Sequence, residues 1–415
     1  MKIKRQKALF GLCFYTCLLY LLMRPVLTEY VSGFFKYFFL LCALWSIFIV
    51  IANGKMVRYL GKTELLLCGL FAIYTVITSL VFGGYELFRL SAERYIFYMF
   101  PILVFPYLND RLNWDRILNF MAVFGVIDSF VSFVEFFTLK QMFPVSGVEN
   151  TRVLQFNGSI RTYGLNGSYF ILAEILCLCG LASLYLLKFR RKKRYLINFI
   201  VISAGVLSTG TRGFYVAYFI GVLVLYFADP KSLRNRKTVV RIMTIMFLGF
   251  AGLWILIGTD FLTGNTTLDK LLIRARSIFN WTTENANVTR INLWKKALEN
   301  WENKILFGNG PDCTSTSYSK ALPVTESGFL KRLVEFGLIG TLLQLSTMFY
   351  PLIKGIKRYR ASQNKNPLTI FMIAFLASFL FEDLILQMYT GLEYTIFIWT
   401  AIAFIYYFSI FPTNQ

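Results

Sequence analysis

Permanently charged side chains stand beside apolar runs in this sequence. Arg212 interrupts the stretch "VLSTGTRGFYVAYFIGVLVLYF", where two long apolar runs meet at a few small or polar residues. Arg290 begins an amphipathic stretch, although a cation is disfavoured at the positive end of a helix unless it has an anion to hold. Arginine forks match phosphate and pyrophosphate groups well. These positions therefore indicate an anionic, phosphate-bearing partner.

The residues and motifs that the sequence lacks exclude several kinds of chemistry. The sequence has no histidine, so a general base must be a carboxylate, lysine, tyrosine or cysteine, and histidine-based metal sites are ruled out. It has no Walker loop and no dinucleotide fingerprint, so ATP hydrolysis is not expected. We expect neither a cofactor nor a metal ion.

The elements that position these residues are membrane spans. Hydrophobic residues make up 56% of the chain, and apolar runs of about 20 residues recur, which is the length of a membrane-crossing helix. This predicts an all-α polytopic membrane protein with about twelve transmembrane helices. The expected spans are 8–27, 33–52, 64–83, 94–108, 117–137, 168–187, 195–209, 212–228, 242–260, 333–352, 367–384 and 393–411.

The distribution of basic residues predicts the orientation. More than half of the 43 Lys and Arg residues fall in short segments that lie on one side if both termini are cytoplasmic, as the positive-inside rule requires. The net charge of +21 is then mostly topology, and no nucleic-acid partner is expected. The predicted regions are N-terminal helices 1–137, an extracytoplasmic loop 138–167, central helices 168–260, a large extracytoplasmic loop 261–332 and C-terminal helices 333–415.

The two extracytoplasmic loops are net basic, which again favours an anionic partner at that face. Arg161 lies in the first loop, and Arg276 and Arg290 lie in the second. The second loop also contains apolar residues at helical spacing, which predict an amphipathic helix along the membrane surface; they are Trp294, Ala297, Leu298, Trp301 and Ile305. The alternative is a helix packed on the outer ends of the spans.

Four segments carry a family resemblance. They are "RTYGLNGSY" (161–169), "STGTRG" (208–213), "TRINLWKKALENWENKILFGNG" (289–310) and "TESGFLKRLVEFGLIG" (325–340). Their order around one large loop resembles the O-antigen polymerase and O-antigen ligase superfamily, and the layout resembles GT-C-type membrane glycosyltransferases.

One departure from the superfamily pattern separates its branches. Ligases of this superfamily carry a histidine in an H-N-x-x-L-like motif, and Glu326 stands in that place here, with Leu330 four residues later. Glu335 and Gly337 follow in register. An acid in this place resembles the polymerase branch (Wzy-type), which joins lipid-linked repeat units into a long glycan.

The resemblance implies a bacterial cytoplasmic (inner) membrane enzyme with an extracytoplasmic active site. Its substrates would be polyprenyl-pyrophosphate-linked oligosaccharides, and its partners membrane lipids, a chain-length regulator and a flippase. Glu326 would be the catalytic base or orient the acceptor hydroxyl. The residues that resemble the family's pyrophosphate-binding positions are Arg212, Arg290, Arg161 and Arg276.

These positions also have structural explanations that require no role in catalysis or substrate binding. Arg212 is also explained as a snorkelling arginine, and Glu326 as a helix N-cap or first-turn acid. Lys331 and Arg332 either serve the pyrophosphate or end at the lipid headgroups, whereas Glu382 and Asp383 are a second candidate pair for the base. A ligase-type glycan transferase and a lipid-linked oligosaccharide flippase or transporter are the alternative functions.

Overall fold

The chain forms a helical bundle. The computed structural model describes residues 2–52, 61–109, 112–144, 155–156, 159–227, 285–361, 366–386 and 391–410. The helices are α1 Lys2–Val26, α2 Phe34–Ala52, α3 Lys62–Ser91, α4 Phe100–Asn109, α5 Trp114–Thr138, α6 Tyr169–Arg190, α7 Lys193–Ser208, α8 Arg212–Phe227, α9 Asn285–Glu302, α10 Gly328–Ala361, α11 Pro367–Ile385 and α12 Leu392–Ile410. Two short strands, β1 Gln155–Phe156 and β2 Ser159–Ile160, pair antiparallel.

Several helices are long and apolar enough to cross a membrane. Within the described residues, five candidate spans are Lys62–Val104, Trp114–Thr138, Tyr169–Arg190, Gly328–Ala361 and Pro367–Ile385. Shorter apolar helices cover Phe34–Phe48, Arg212–Phe227 and Leu392–Tyr407. The protein is therefore a membrane-embedded multi-pass protein in coarse terms. The number twelve stays a prediction, and the expected span 242–260 lies outside the described residues.

Helix α6 lies at the centre of the bundle. Most of its side chains are buried, and it packs against both α5 and α7. Helices α8 and α11 pack along each other, as do α10 and α12. In contrast, α2 and α3 expose large apolar side chains, a distribution suited to lipid and not to water; they include Phe34, Tyr37, Trp45, Leu66, Leu70 and Ile73.

The region expected to hold the third and fourth spans differs from the prediction. Helix α3 does not end near residue 83, because Gly84 takes a left-handed conformation (φ 64°, ψ −153°) that redirects the helix without ending it. One π-helical turn, Ala92–Ile96, and one 3-10 turn, Phe97–Met99, then lead into α4. Hydropathy alone treated 84–93 as a connector, since that stretch is more polar than its flanks.

Helix α10 is longer than the expected span 333–352, and Gly337 breaks it at φ 63°. The preceding loop, residues 305–310, fills the break: Leu338 N–H donates to Ile305 O at 2.8 Å, and Gly310 N–H donates to Glu335 O at 3.0 Å. A Cβ on Gly308 would lie 2.4 Å from the Gly337 nitrogen. Gly308 of "FGNG" and Gly337 of "EFGLIG" are thus explained by backbone contact with each other.

The bundle has two chemically different ends. At one end, Arg190 of α6 pairs with Asp115 of α5, and Lys354 of α10 pairs with Glu64 of α3. We call the other end, where α5, α7 and α11 finish and α8, α10 and α12 begin, the site end. Residues 161–169, helix α9 and the loop 303–327 lie there.

Candidate functional site

Arg212 is the first residue of α8 and follows a tight turn through Gly210, whose φ is 67°. A Cβ on Gly210 would lie 2.5 Å from Ile160 O and 3.3 Å from the Arg161 side chain. Only glycine therefore lets the Arg212 turn approach the Arg161 segment this closely. The Arg212 guanidinium donates to the Oδ1 of Asn287 at 3.0 Å.

Arg161 belongs to a segment that a buried carboxylate of α5 holds in place. Glu135 accepts from the Tyr163 N–H at 2.7 Å and the Gly164 N–H at 2.8 Å through one oxygen. Its other oxygen accepts from the Met142 N–H at 3.0 Å. Burial of Tyr163 raises the pKa of its hydroxyl. A membrane helix thus fixes the turn that carries Arg161.

A second carboxylate of α5 completes this support. Asp128 accepts from the Leu165 N–H at 2.9 Å and from the Asn166 side-chain amide at 2.7 Å. The Arg161 guanidinium lies over the Tyr169 ring, 4.4 Å from its centroid. Sequence reasoning missed both α5 acids. The available signal was their place within the apolar run "GVIDSFVSFVEFF", where ionisable residues are costly.

Helix α9 connects the first turns of α8 and α10. Asn287, Arg290 and Trp294 recur at a spacing that places them on one face. Asn287 binds Arg212, whereas the Arg290 Nε donates to a Glu326 carboxylate oxygen at 3.1 Å. The Trp294 Nε1 donates to Glu326 O at 3.3 Å. One helix face therefore brings together Arg212, Arg290 and Glu326.

The structure contains a helix in the expected stretch, but its buried face differs in part from the expected apolar face, and its position along the membrane surface stays a prediction. Ala297 is buried with Leu87, Cys313 and Val334 in a small apolar cluster. Leu298, expected on the same face, is exposed, and Ile305 lies beyond the end of α9. Helix α9 packs on other parts of the same chain, among them α10. This agrees with the alternative that the sequence left open.

Glu326 is not the cap of α10. Its backbone is left-handed (φ 45°), and its carboxylate turns to Arg290. Ser327 directly precedes the helix, and its hydroxyl accepts from the Leu330 N–H at 3.4 Å, as an N-cap does. The capping interpretation of Glu326 is therefore wrong, because the next residue has that role.

Lys331 and Arg332 are paired with acids inside the protein. Both are buried. The Lys331 ammonium lies 3.4 Å from Glu335 and 3.9 Å from Asp312. Arg332 pairs with Asp383 and donates to Gln344 at 3.1 Å. Both cations are therefore part of an internal charge network.

Asp312 anchors the site-end loop to this network. Arg94 donates to it at 2.8 Å, and burial, followed by the charge of Glu335, raises the pKa of Asp312 to about 6. Glu335 itself accepts from the Thr314 hydroxyl at 2.6 Å and from the Tyr95 hydroxyl.

The second candidate pair for the base separates into two different environments. Asp383 pairs with Arg332 and packs against Gly328 at the start of α10. Glu382 instead packs against Gly213, the residue after Arg212. Only Glu382 therefore lies beside the turn that carries a candidate functional arginine. Arg276 lies outside the described residues.

The comparisons with known proteins bear on this site. No curated protein matches the chain significantly. Residues 197–345 match the family model Wzy_C, described as O-antigen ligase. That range covers less than half of the chain but contains the segments around Arg212, Arg290 and Glu326, whereas the Arg161 segment precedes it. Over that range the multi-pass membrane protein is similar to the O-antigen ligase family.

Proposed function

We propose that the protein is a polysaccharide polymerase of the bacterial cytoplasmic membrane. It joins polyprenyl-pyrophosphate-linked oligosaccharide repeat units into a long surface glycan, an O-antigen, capsule or exopolysaccharide. We also propose that the chain crosses the membrane twelve times, has a GT-C-like layout and carries its active site on the extracytoplasmic face. A flippase that delivers the repeat units and a chain-length regulator are the expected partners.

The observation that carries the proposal is the convergence of Arg212, Arg290 and Glu326 through one face of α9. Glycosyl transfer from a lipid pyrophosphate needs cations for the departing phosphate charge and a carboxylate near the acceptor hydroxyl. Guanidinium groups meet the first need without a metal ion, because pyrophosphate is already a good leaving group. Arg161, whose segment contacts the Arg212 turn, adds a third cation near the site.

In this proposal the donor and the acceptor molecules contact different side chains. Arg212 and Arg290 bind the pyrophosphate of the donor, and Glu326 orients the acceptor hydroxyl. The side chains of Arg290 and Glu326 are 21% and 39% exposed, so both can be reached from outside the bundle. An ion pair this exposed is worth about 0–1 kcal/mol, so a pyrophosphate can readily replace Glu326 as the partner of Arg290.

A ligase-type transferase is the second candidate, and the description of the matching family favours it. It would use the same arginines but transfer finished glycan to a different acceptor. The absence of histidine from the whole chain argues against it, since the superfamily's ligases are expected to carry one where Glu326 stands. The polymerase is therefore preferred.

The decisive experiment uses purified full-length protein and a synthetic polyprenyl-pyrophosphate repeat unit as the sole substrate, with chelator present. A polymerase produces a ladder of lipid-linked products, since its donor and acceptor are the same class of molecule. A ligase produces no ladder under either condition, and forms a single transfer product only when a separate lipid acceptor is added. Absence of any product under both conditions contradicts glycosyl transfer, and loss of product only with chelator contradicts the metal-independent mechanism.

A variant arm of this assay tests the anion site. Arg212→Lys keeps the charge but loses the planar pair of donors, so we expect shortened chains and at least tenfold weaker donor binding, or about 1.4 kcal/mol. Arg194→Lys, an exposed change at the opposite end of the bundle, is the matched control. Wild-type chain lengths from Arg212→Lys would favour the snorkelling interpretation.

A further inference from the structure

Glu382 is a carboxyl group whose hydrogen-bonding needs the described part of the chain does not meet. It lies near the end of α11 at the site end and is 0% exposed. Neither of its carboxylate oxygens has a hydrogen-bond partner among the described residues. A buried carboxyl without donors is strongly unfavourable, and such groups concentrate at functional sites. Folding alone gives no reason to keep it.

The neighbours of Glu382 are the elements that carry the candidate site. A Cβ on Gly213 would lie 2.5 Å and 2.7 Å from the two Glu382 oxygens, so the carboxyl group rests against the first turn of α8. Arg212 is the preceding residue. Arg290 is the cation whose charge acts on Glu382, and Asp383 is the anion that opposes it. The group therefore lies beside the turn that carries Arg212 and within range of the Arg290 charge.

The described donors that contact the end of α11 or act on Glu382 have other hydrogen-bond partners. Arg332 binds Asp383 and Gln344. The Ser327 hydroxyl donates to Leu384 O at 2.8 Å, and the Arg290 Nε donates to Glu326. Asp383, the adjacent residue, shows the contrast, since its charge is matched by Arg332. No hydrogen-bond donor to Glu382 is found among the described residues, and a sugar hydroxyl is the donor that the proposed substrate supplies.

The partly exposed pair of Arg290 and Glu326 is linked to Glu382 through the charge of Arg290. Arg290 acts on both carboxylates, through a hydrogen bond to Glu326 and through its charge on Glu382. An ion pair with side chains 21% and 39% exposed contributes little to stability, so it can open when a pyrophosphate binds Arg290. If the Arg290 side chain moves to the pyrophosphate, the Glu326 and Glu382 carboxylates can both interact with the acceptor.

We propose that Glu382 accepts the proton of the acceptor hydroxyl during glycosyl transfer, while Glu326, released from Arg290, orients that hydroxyl. The acceptor oxygen forms a bond to the anomeric carbon of the donor as the bond from that carbon to the phosphate oxygen breaks. The electron pair of the broken bond leaves with the lipid pyrophosphate, which Arg212 and Arg290 bind. The hydroxyl proton moves to the Glu382 carboxylate. This assignment rests on the proposed function.

The test compares Glu382→Gln with the wild-type enzyme in the polymerisation assay. Turnover is expressed per molecule able to bind radiolabelled polyprenyl-pyrophosphate repeat unit, so misfolded protein does not enter the rate. Gln keeps the size of the side chain but cannot take a proton, so kcat should fall about 100-fold or more. The donor Kd should stay within about threefold of the wild-type value, because the arginines are unchanged.

Two further variants separate proton transfer from packing. Glu382→Ala should regain part of its activity when formate is added, since a small carboxylate can replace the missing base, and packing alone would give no such rescue. Glu302→Gln removes an exposed carboxylate at the end of α9 and should behave as wild type. Activity of Glu382→Ala without formate would also exclude the role.

The outcomes distinguish this inference from the proposed function. An inactive wild-type enzyme contradicts glycosyl transfer itself. An active wild-type enzyme together with Glu382→Gln turnover within about threefold of it, or a loss confined to the donor Kd, overturns only the role of Glu382.

Discussion

Glu326 and Ser327 show how two adjacent polar residues take different tasks. The left-handed backbone at Glu326 turns its carboxylate towards Arg290, and Ser327 is left to cap α10. Sequence alone placed an acid and a hydroxyl before a helix and could not divide the roles, because either side chain can cap. The division depends on where α9 docks, which is a tertiary contact.

This division can be tested by paired substitutions. Glu326→Gln should reduce polymerisation at least tenfold with little change in melting temperature, because the charge that orients the acceptor hydroxyl is lost and the cap is intact. Ser327→Ala should cost about 1 kcal/mol of stability as a lost N-cap and keep its activity per folded molecule. Product-length analysis and thermal unfolding of the same preparations measure both effects. The reverse pattern, with Glu326→Gln destabilised but active, would return the capping role to Glu326.

The limits of residue-level prediction are clearest for the cations. Arg212 and Arg290 stood out because an arginine beside an apolar run, or at a helix start, is unfavourable without a partner. Lys331 and Arg332 carried the same signal, yet buried acids from distant parts of the chain match them. Local spacing cannot reveal a partner 51 residues away, such as Asp383 for Arg332.

At the scale of elements, apolar run length was a good guide where helices are regular. Helix α11 was expected at 367–384 and occupies Pro367–Ile385, and α7 was expected at 195–209 and occupies Lys193–Ser208. The prediction failed at Gly84 and Gly337, where a left-handed glycine redirects a helix that continues beyond it. Hydropathy reports which residues avoid water and does not report helix direction.

These two glycines form a matched pair for an experiment. Both have φ near 63°, but a Cβ at Gly84 meets nothing within 4 Å, whereas a Cβ at Gly337 would lie 2.4 Å from Leu306 O. Gly84→Ala should therefore cost about 1 kcal/mol from backbone strain alone. Gly337→Ala should cost about 3 kcal/mol, because overpacking against the loop 305–310 adds to the same strain.

Thermal unfolding in one detergent measures both glycine variants. Gly337→Ala should also lower turnover, since the loop that packs into the α10 break continues to the site end. Equal destabilisation by the two substitutions would show that the contact between 305–310 and α10 is not maintained in solution.

At the scale of the whole molecule, the two ends differ in the kind of charge they carry. Asp115 and Glu64 pair with cations at one end, next to the Lys- and Arg-rich connection between α6 and α7. At the site end, two buried carboxylates of α5 hold the turn that carries Arg161. The positive-inside rule assigns the Lys- and Arg-rich end to the cytoplasm, and the site end then faces outward.

Cysteine labelling tests this orientation directly. In a background without the native cysteines, Lys320→Cys lies in the exposed part of the site-end loop, and Lys192→Cys lies in the exposed connection between α6 and α7. A membrane-impermeant maleimide should label position 320 in cells with an intact inner membrane, and position 192 only after that membrane is permeabilised. The physical reason is the cost of moving a short loop rich in Lys and Arg across the membrane. The opposite labelling would place Arg212, Arg290 and Glu326 in the cytoplasm, where they could not extend a glycan built on the outer face, and polymerisation at that face would then have to be abandoned even if the purified enzyme transfers sugars.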